Sequence, residues 1–321
     1  MEADFIFYFL LFTFYFILGV MLEESFTLPS FAKINWFLRV LGKREDDYHE
    51  LCTLFQTVSL ADEITFSAFD ELILTCNDER IPTDESNLIV KATNVLRERF
   101  DVKSGAKIHL EKNIPSPGGL GGGSSNAAIA LLGLAKLWNL EIDFKELVKI
   151  GAQIGADVPF FFYGGTCLGT GRGIDLLPVK DLEEKYLLIV TPNVDVSTRE
   201  AFARLNAPRL TNFSSKNILQ VCRSEAEAFD LRQNDLKNDF EASVFAIEPE
   251  VERVKEKLLS LGAIKVSMSG SGASVFAIFD KQETRQATQK ALENEFDWRQ
   301  FAVATVSRES YCEKIFKVVS D

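Results

Sequence analysis

Apolar and polar residues alternate along the first part of the chain in a pattern that predicts strands. Residues 26–40 read as one extended segment. The stretches "LCTLFQTVSL" and "EITFSAF" read as two more strands, and we expect a turn at Ala61-Asp62 between them. "AKIHLEK", residues 106–112, predicts a further strand that leads into a glycine-rich run. The first half of the chain therefore contains a sheet.

Helices are expected where the apolar period lengthens to about 3.6 residues. "SNLIVKATNVLRERF" is one such segment, and a second begins at Ser124, capped by Ser124 or Ser125. A third begins after the N-cap residue Asp143 and ends near Gly151 or Gly155. After it, "VPFFFY" reads as a very apolar strand.

The second half follows the order strand, helix, strand, strand, helix, strand, which is the split βαβ or ferredoxin-like pattern. A helical stretch at 198–246 would be an insertion in that pattern. The remaining elements are expected at 186–192, 249–262, 264–268, 273–279, 282–295 and 301–306. The boundary between two domains is expected between 165 and 185.

Composition excludes several classes of protein. A net charge of -12 over 321 residues argues against a nucleic-acid partner, since nucleic-acid-binding proteins present a basic face. The chain has only two histidines, which excludes His-rich zinc sites, and it lacks the GxSxG motif that would indicate a serine hydrolase. The five cysteines are scattered without a CxxC pair, which predicts unpaired thiols in a reducing, cytoplasmic compartment.

The N-terminal segment "FIFYFLLFTFYFILGVML", residues 5–22, is apolar and uncharged. Three interpretations stay open: an upstream start codon read by mistake, a membrane anchor, or a helix packed on the protein. The first is favoured, because acidic residues flank the segment where a signal or anchor would carry basic ones. We expect a chain beginning at Met21 to be folded and active, with no membrane contact.

The run "PSPGGLGGGSS" between a strand and a helix favours phosphate binding over a flexible linker. Glycines let the backbone approach an anion, and a helix N-terminus offers free N–H groups. No lysine follows these glycines as in a P-loop, and Ser124 stands where a dinucleotide loop needs its last glycine. The run is therefore a third kind of phosphate loop.

Two charged residues are candidates for the chemistry. With strand alternation, Lys33 and Asn35 share a face, and that face either lines a polar cleft or belongs to an exposed edge strand. Asp157 follows a helix end, so local sequence slightly favours capping over a site role. Gly270 and Gly272 separate two strands, for which an ordinary hairpin loop is the default.

Three separated motifs, "PSFAKIN", "GGLGGGSSNAA" and "SMSGSGASVF", together resemble the GHMP kinase superfamily of galacto-, homoserine, mevalonate and phosphomevalonate kinases. The stretches at 31–64 and "GADVPFF" resemble the members that phosphorylate a cytidyl-linked methylerythritol in the non-mevalonate route to isoprenoid precursors. The resemblance implies an α+β, two-domain fold with a cleft between the domains. A ribosomal-protein-S5-domain-2-like ATP-binding domain would span 23–175, and a ferredoxin-like substrate domain would span 176–321, after the extension at 1–22.

The resemblance also implies site residues. Lys33 and Asp157 would be the catalytic pair, with Asp157 as base for the substrate hydroxyl and Lys33 holding and polarising both. Asn35 would support them from the same strand face. The cofactors would be ATP and Mg²⁺, with Ser125 as a possible metal ligand, and the enzyme would be a monomer or homodimer. The expected ATP-binding residues are Pro115, Ser116, Pro117, Gly118, Gly119, Leu120, Gly121, Gly122, Gly123, Ser124, Ser125, Asn87 and Lys112. The expected acceptor-binding residues are Asn35, Tyr48, His49, Thr198, Phe202, Gly270 and Gly272.

Within the acceptor set, His49 would read the cytosine edge while Tyr48 and Phe202 stack on its faces. The chain departs from the family pattern at Pro117, at Asp47 where glycine is usual, and at Ile174. Three rival functions stay open: another small-alcohol kinase of the superfamily, a non-catalytic nucleotide-binding protein, and a membrane-tethered scaffold that rests only on residues 5–22. Retention of both Lys33 and Asp157 argues against the second.

Overall fold

The computed structural model of the protein describes residues 25–205, 207–210 and 212–320. The apolar N-terminal segment and its three interpretations lie outside these residues. Within the described ranges, no helix combines the length and the apolar character needed to cross a membrane.

A seven-stranded sheet is built around two long antiparallel strands, β1 (Ser25–Lys43) and β2 (His49–Phe69). The turn predicted at Ala61-Asp62 is wrong, because β2 runs through both residues. Phe31 pairs with Ala61 and Ala32 pairs with Val58, so two residues of β2 bulge instead. The other strands are β3 (Leu72–Cys76), β4 (Gly105–Glu111), β5 (Thr166–Gly171), β6 (Asp175–Pro178) and β8 (Lys237–Asn238).

Helices pack with this sheet around one apolar core. They are α1 (Leu88–Phe100), α2 (Gly122–Leu137), α3 (Phe144–Ile154), α4 (Phe160–Tyr163) and α10 (Arg308–Ser320). The predicted N-cap of α3 is confirmed, since Asp143 accepts a hydrogen bond from the Glu146 N–H. The strand predicted at "VPFFFY" is wrong: residues 160–163 form a short helix, because an apolar run buried on all sides carries no strand period.

The second sheet has four strands, β7 (Leu187–Pro192), β9 (Lys265–Met268), β10 (Val275–Ile278) and β11 (Trp298–Val303). They are antiparallel and lie in the order β11-β7-β10-β9. This is the predicted ferredoxin-like arrangement, with the last strand beginning at Trp298 and not at residue 301. The helices of this part are α8 (Pro249–Ser260) and α9 (Gln282–Ala291). The insertion contains α5 (Thr198–Arg204), α6 (Asn212–Glu227) and α7 (Glu241–Ile247).

The two sheets share an apolar core. The Trp36 ring on β1 meets the Phe276 ring on β10 edge to face, with their centroids 5.7 Å apart. The chain leaves the first sheet after Pro178 and enters the second at Leu187, but β8 returns to pair with β1. The middle of β1, which carries Lys33 and Asn35, contacts the loop between β9 and β10, because the Gly270 N–H donates to Asn35 Oδ1.

Candidate active site

The three motifs that lie far apart in sequence meet at one place. The backbone N–H of Lys33 on β1 donates to the Leu120 carbonyl in the glycine loop, at 2.9 Å. The N–H of Ser274 donates to the Gly118 carbonyl at 3.2 Å, and the Ser269 hydroxyl donates to the Gly119 carbonyl at 3.0 Å. The loop between β9 and β10 is therefore a wall of the site and not a free hairpin.

Lys33 is buried at the centre of this junction, with 3% of its side chain exposed. Its ammonium donates to Asn35 Oδ1 at 2.9 Å and lies 3.6 Å from Asp157 Oδ2. Burial lowers the pKa of the Lys33 ammonium, while the Asp157 carboxylate opposes that shift by favouring the charged form. The alternative of a solvated edge lysine is excluded, because β2 pairs with β1 on one side and the glycine loop covers the other.

Asp157 lies in the turn between α3 and α4, with about a third of its side chain (35%) exposed. The capping interpretation is not supported: the C-cap of α3 is Gly155, and the N-cap of α4 is Pro159, which makes no side-chain bond. Its carboxylate faces Lys33 and retains open surface. It is thus the acid of the pair that a substrate can reach.

Asn35 connects the lysine to the opposite wall. Its Oδ1 accepts from Lys33 Nζ and from the Gly270 N–H, each at 2.9 Å, and its amide donates to the Thr53 hydroxyl at 2.7 Å. With 1% exposure, it has almost no surface for the direct acceptor contact that was predicted. Its amide groups are used within the protein, so its contact with an acceptor stays a prediction.

The glycine loop ends in a helix N-terminus that lacks a side-chain cap. Helix α2 begins at Gly122 and its N-cap is Gly121, so the predicted start and cap at Ser124 or Ser125 are wrong. Gly119 and Gly121 both have φ of 70°, in the left-handed region that favours glycine. The first N–H groups of α2 are therefore available to an anion, and the helix dipole favours one there.

Close packing makes Gly119 a sensitive position. A Cβ at this residue would lie 2.1 Å from the Ser269 carbonyl oxygen. We expect Gly119→Ala to lower the free energy of unfolding by about 1–3 kcal/mol and to weaken ATP binding, because the two loops must separate. Thermal unfolding and the KM for ATP measure these effects. A normal KM for ATP in Gly119→Ala would contradict the assignment of this loop to ATP binding.

Three of the predicted ATP-binding residues make contacts within the protein. The Lys112 ammonium donates to Asp62 Oδ2 and to the Ile114 carbonyl, both at 2.7 Å, and is nearly buried. Asn87 is the N-cap of α1 and accepts from the Ile89 N–H at 2.8 Å. The Ser125 hydroxyl, predicted as a possible metal ligand, is fully buried and accepts from Ser30 at 2.8 Å. Their roles toward a nucleotide or metal stay predictions.

The aromatic rings predicted to hold a pyrimidine base each contact another side chain in this structure. The His49 ring stacks on the Phe202 ring with 4.9 Å between centroids. Tyr48 is half exposed and lies under the Arg172 guanidinium, 3.5 Å from ring centroid to Cζ. The roles of Tyr48, His49 and Phe202 toward a base stay predictions. Burial lowers the pKa of His49, and the positive charge of the nearby Lys43 lowers it further.

The remaining predicted residues lie on the wall formed by the second sheet. The Thr198 hydroxyl at the start of α5 is 2.8 Å from the Ser271 hydroxyl, and Gly270 and Gly272 both have positive φ. Sequence reasoning missed Asn238, whose amide donates to the Met268 and Gly270 carbonyls at 2.8 Å each. No local signal marks Asn238, because its role depends on β8 pairing with β1 across a long sequence separation.

Metal ligands are sparse in the described part of the chain, which contains no group of three or more His, Cys, Asp or Glu side chains that could hold an ion. Magnesium commonly binds through substrate phosphates and water with one or two protein oxygens. The structure assigns no particular protein oxygen to this role. The site therefore fits an ion that arrives with a nucleotide.

Comparison with known proteins agrees with this geometry. The GHMP kinases N terminal domain matches residues 87–165, and the GHMP kinases C terminal domain matches residues 222–297. A 4-diphosphocytidyl-2-C-methyl-D-erythritol kinase of Caldanaerobacter subterraneus subsp. tengcongensis is 38% identical over 258 residues, covering 80% of this chain and 88% of the relative. One of the same name from Protochlamydia amoebophila is 43% identical over 254 residues, covering 79% and 84%.

Solved structures show the same architecture. A crystal structure of 4-(cytidine 5'-diphospho)-2C-methyl-D-erythritol kinase matches with a TM-score of 0.70 at 30% identity, covering 87% of this chain and 99% of the other. Homoserine kinase from Cytophaga hutchinsonii also matches with a TM-score of 0.70, at 20% identity and with 92% and 98% covered. The second match shows the shared two-domain GHMP kinase fold.

Proposed function

The chain belongs to the 4-diphosphocytidyl-2-C-methyl-D-erythritol kinase family, and we propose that it phosphorylates the 2-hydroxyl of that cytidyl-linked methylerythritol with ATP. This reaction would place it in non-mevalonate isoprenoid precursor biosynthesis. The observation that carries the proposal is the Lys33–Asp157 pair, 3.6 Å apart at the junction of the glycine loop with the loop at Gly270. A nucleotide-binding protein without catalysis would not need a buried lysine facing a half-open carboxylate.

The chemistry follows from the charges at this junction. Asp157 accepts the proton of the attacking hydroxyl, so the O–H bond breaks as the new O–P bond forms and ADP leaves. Lys33 stabilises the negative charge that develops on the attacking oxygen, and Asn35 fixes the direction of the ammonium. Phosphoryl transfer needs mainly such positioning and charge stabilisation, which a rigid buried strand can supply.

The donor phosphates would bind at the N-terminus of α2. The uncapped N–H groups there, and the left-handed Gly119 and Gly121, fit an anion in direct contact with the backbone. Mg²⁺ would supply neutralisation of the phosphate charge when bound. The five cysteines are free, which agrees with the reducing cytoplasmic location that we propose for the enzyme.

An acceptor panel tests the proposed function. The protein is incubated with ATP, Mg²⁺ and, in turn, the cytidyl-linked methylerythritol, homoserine, mevalonate and phosphomevalonate, and ADP is measured. We expect ADP above background only with the cytidyl-linked acceptor. Turnover confined to one of the other alcohols would assign the chain a different substrate, and no turnover with any would favour a binding protein.

We further propose that His49 recognises the cytosine, after separating from Phe202. A base edge read by hydrogen bonds rejects analogues, because unmatched polar groups are left without partners. We expect His49→Ala to reduce kcat/KM for the acceptor by about tenfold or more while the KM for ATP stays within about twofold. Phe202→Ala should act in the same direction.

Competition between cytidyl and uridyl forms of the acceptor is the direct measurement for His49. The wild-type protein should prefer the cytidyl form, and His49→Ala should lose the preference. His109→Ala is the matched control, because the other histidine of the chain lies on β4, where its ring contacts Thr75 and Glu111. Equal use of both forms by the wild type would remove His49 from base recognition.

A further inference from the structure

A group of buried polar side chains connects the two ends of the glycine loop. We call it the buried cluster, and its members are Ser30, Asp62, Lys112, Ser125 and Asn126. They come from β1, β2, the segment after β4 and the first turns of α2. The proton transfer and charge stabilisation assigned to Asp157 and Lys33 use none of these side chains, although the family resemblance places Lys112 and Ser125 among the ATP-binding residues.

Asp62 is the acceptor at the centre of the buried cluster. Its Oδ1 accepts from the backbone N–H groups of Asn113 and Ile114, at 2.7 and 2.8 Å. Its Oδ2 accepts from Lys112 Nζ at 2.7 Å and from the Asn126 amide at 2.9 Å. Its side chain is fully buried, so these four bonds and the lysine charge replace the water that an ionised carboxylate would otherwise hold.

These bonds attach Asp62 to both ends of the glycine loop. Asn113 and Ile114 form the segment that leads from β4 into the loop, and Asn126 lies in the first turns of α2 where the loop ends. The Asn126 amide also donates to Ser30, whose hydroxyl donates to Ser125 at 2.8 Å. One carboxylate on β2 therefore fixes the distance between the start and the finish of the loop.

Lys112 balances the charge of Asp62 from the inner side of the loop. Its ammonium lies beneath the helix start, since a Cβ on Gly122 would be 3.0 Å from Nζ. Two of its hydrogen bonds are to Asp62 and to the Ile114 carbonyl. Burial lowers the pKa of Lys112, and the Asp62 carboxylate opposes that shift by favouring the charged ammonium.

We infer that Asp62 is a positioning residue for ATP, which holds the two ends of the glycine loop at the spacing the donor phosphates require, with Lys112 as its charge partner. This inference rests on the proposed function. The inference assigns two separate contributions to Asp62. Its ion pair with Lys112 balances charge in the core, and the hydrogen bonds from Asn113 and Ile114 to Oδ1 fix the position of the loop. A buried ion pair can be replaced by uncharged residues of similar volume, whereas two backbone N–H groups need an acceptor.

Two double variants distinguish these contributions, because both remove the two charges together. Asp62→Asn with Lys112→Met retains a carbonyl oxygen that can accept from Asn113 and Ile114. Asp62→Leu with Lys112→Met has no acceptor there. The Kd for ATP, measured by calorimetry with Mg²⁺ and without acceptor, and the KM for each substrate are compared with thermal unfolding of the same proteins. Glu63→Gln, at the exposed neighbouring position of β2, is the control.

We expect Asp62→Asn with Lys112→Met to bind ATP within about threefold of wild type, and Asp62→Leu with Lys112→Met to bind about tenfold or more weakly, with the acceptor KM unchanged in both. Equal ATP binding by the two double variants would overturn the inference. If both bound ATP equally weakly, Lys112 would be a direct nucleotide ligand. If both bound ATP normally, the buried cluster would contribute only to the stability of the fold. A parallel rise of both KM values would also overturn it.

Asp62→Glu covers the case in which the leucine variant does not fold. It keeps both charges but moves the carboxylate by one methylene, so we expect weaker ATP binding, and normal binding would contradict the inference. Failure of the proposed function is distinguishable, because the wild-type protein would then not use the cytidyl-linked acceptor at all. If only the inference about Asp62 is wrong, the wild-type protein still binds ATP and phosphorylates the cytidyl-linked acceptor.

Discussion

Replacing Asp157 with Asn is expected to reduce kcat by about 10²–10⁴-fold, because the amide cannot accept the proton of the attacking hydroxyl. ATP binding should be retained, since Asp157 lies outside the glycine loop and its ion-pair partner Lys33 keeps its bond to Asn35. Initial rates at saturating acceptor measure kcat, and calorimetry measures the Kd for ATP.

Asp101→Asn is the matched control for that substitution. Asp101 is 84% exposed at the C-cap of α1 in a left-handed conformation that Asn also adopts. It should leave kcat unchanged. Turnover close to wild type in Asp157→Asn would remove this carboxylate from the mechanism and restore a purely structural interpretation of the turn.

Replacing Lys33 with Met is expected to reduce kcat by about 10²–10³-fold, the effect of removing one preorganised donor from a developing oxyanion. The protein should remain folded, because Met fills the space of the buried stem and Asn35 Oδ1 still accepts from Gly270. The measurement is kcat together with circular dichroism of the folded protein. Lys107→Met, an exposed lysine on β4, is the control and should be fully active.

Combining the two substitutions tests whether they act as one unit. The kcat of the double variant, Lys33→Met with Asp157→Asn, should lie within a few-fold of the kcat of the slower single variant. Each substitution alone already disables the same proton transfer, so the second has little left to remove. If the two losses multiplied in full, the residues would act on separate steps. An active Lys33→Met variant would contradict the assignment of Lys33.

The sequence identified elements and residues whose signals are local. Asp143 predicts the start of α3 because an N-cap needs only its own helix, and the alternation along β1 places Lys33 and Asn35 on one face. That alternation holds only as far as Asn35, since a bulge leaves Trp36 without a partner on β2. The pairing of Lys33 with Asp157 followed only from the family resemblance.

The features that sequence did not predict depend on contacts across the fold. Asp62 reads as a turn residue because Asp is rare inside buried strands, but here distant hydrogen-bond donors satisfy it. Gly121 caps α2 because the loop, held by Lys33 and by Ser269, enters the helix in a left-handed turn. His49 lies on Phe202, 153 positions later in the printed numbering, and no local pattern reports such a pair.

Phosphorus NMR of one reaction mixture tests the central claim most directly. The purified protein is incubated with Mg²⁺, ATP and 4-diphosphocytidyl-2-C-methyl-D-erythritol, and the spectrum is followed until ATP is consumed. The account predicts one new phosphomonoester resonance, formed in equal amount with ADP, with the diphosphate of the acceptor intact. Formation of ADP with inorganic phosphate alone, or an unchanged spectrum from a folded protein, would contradict it.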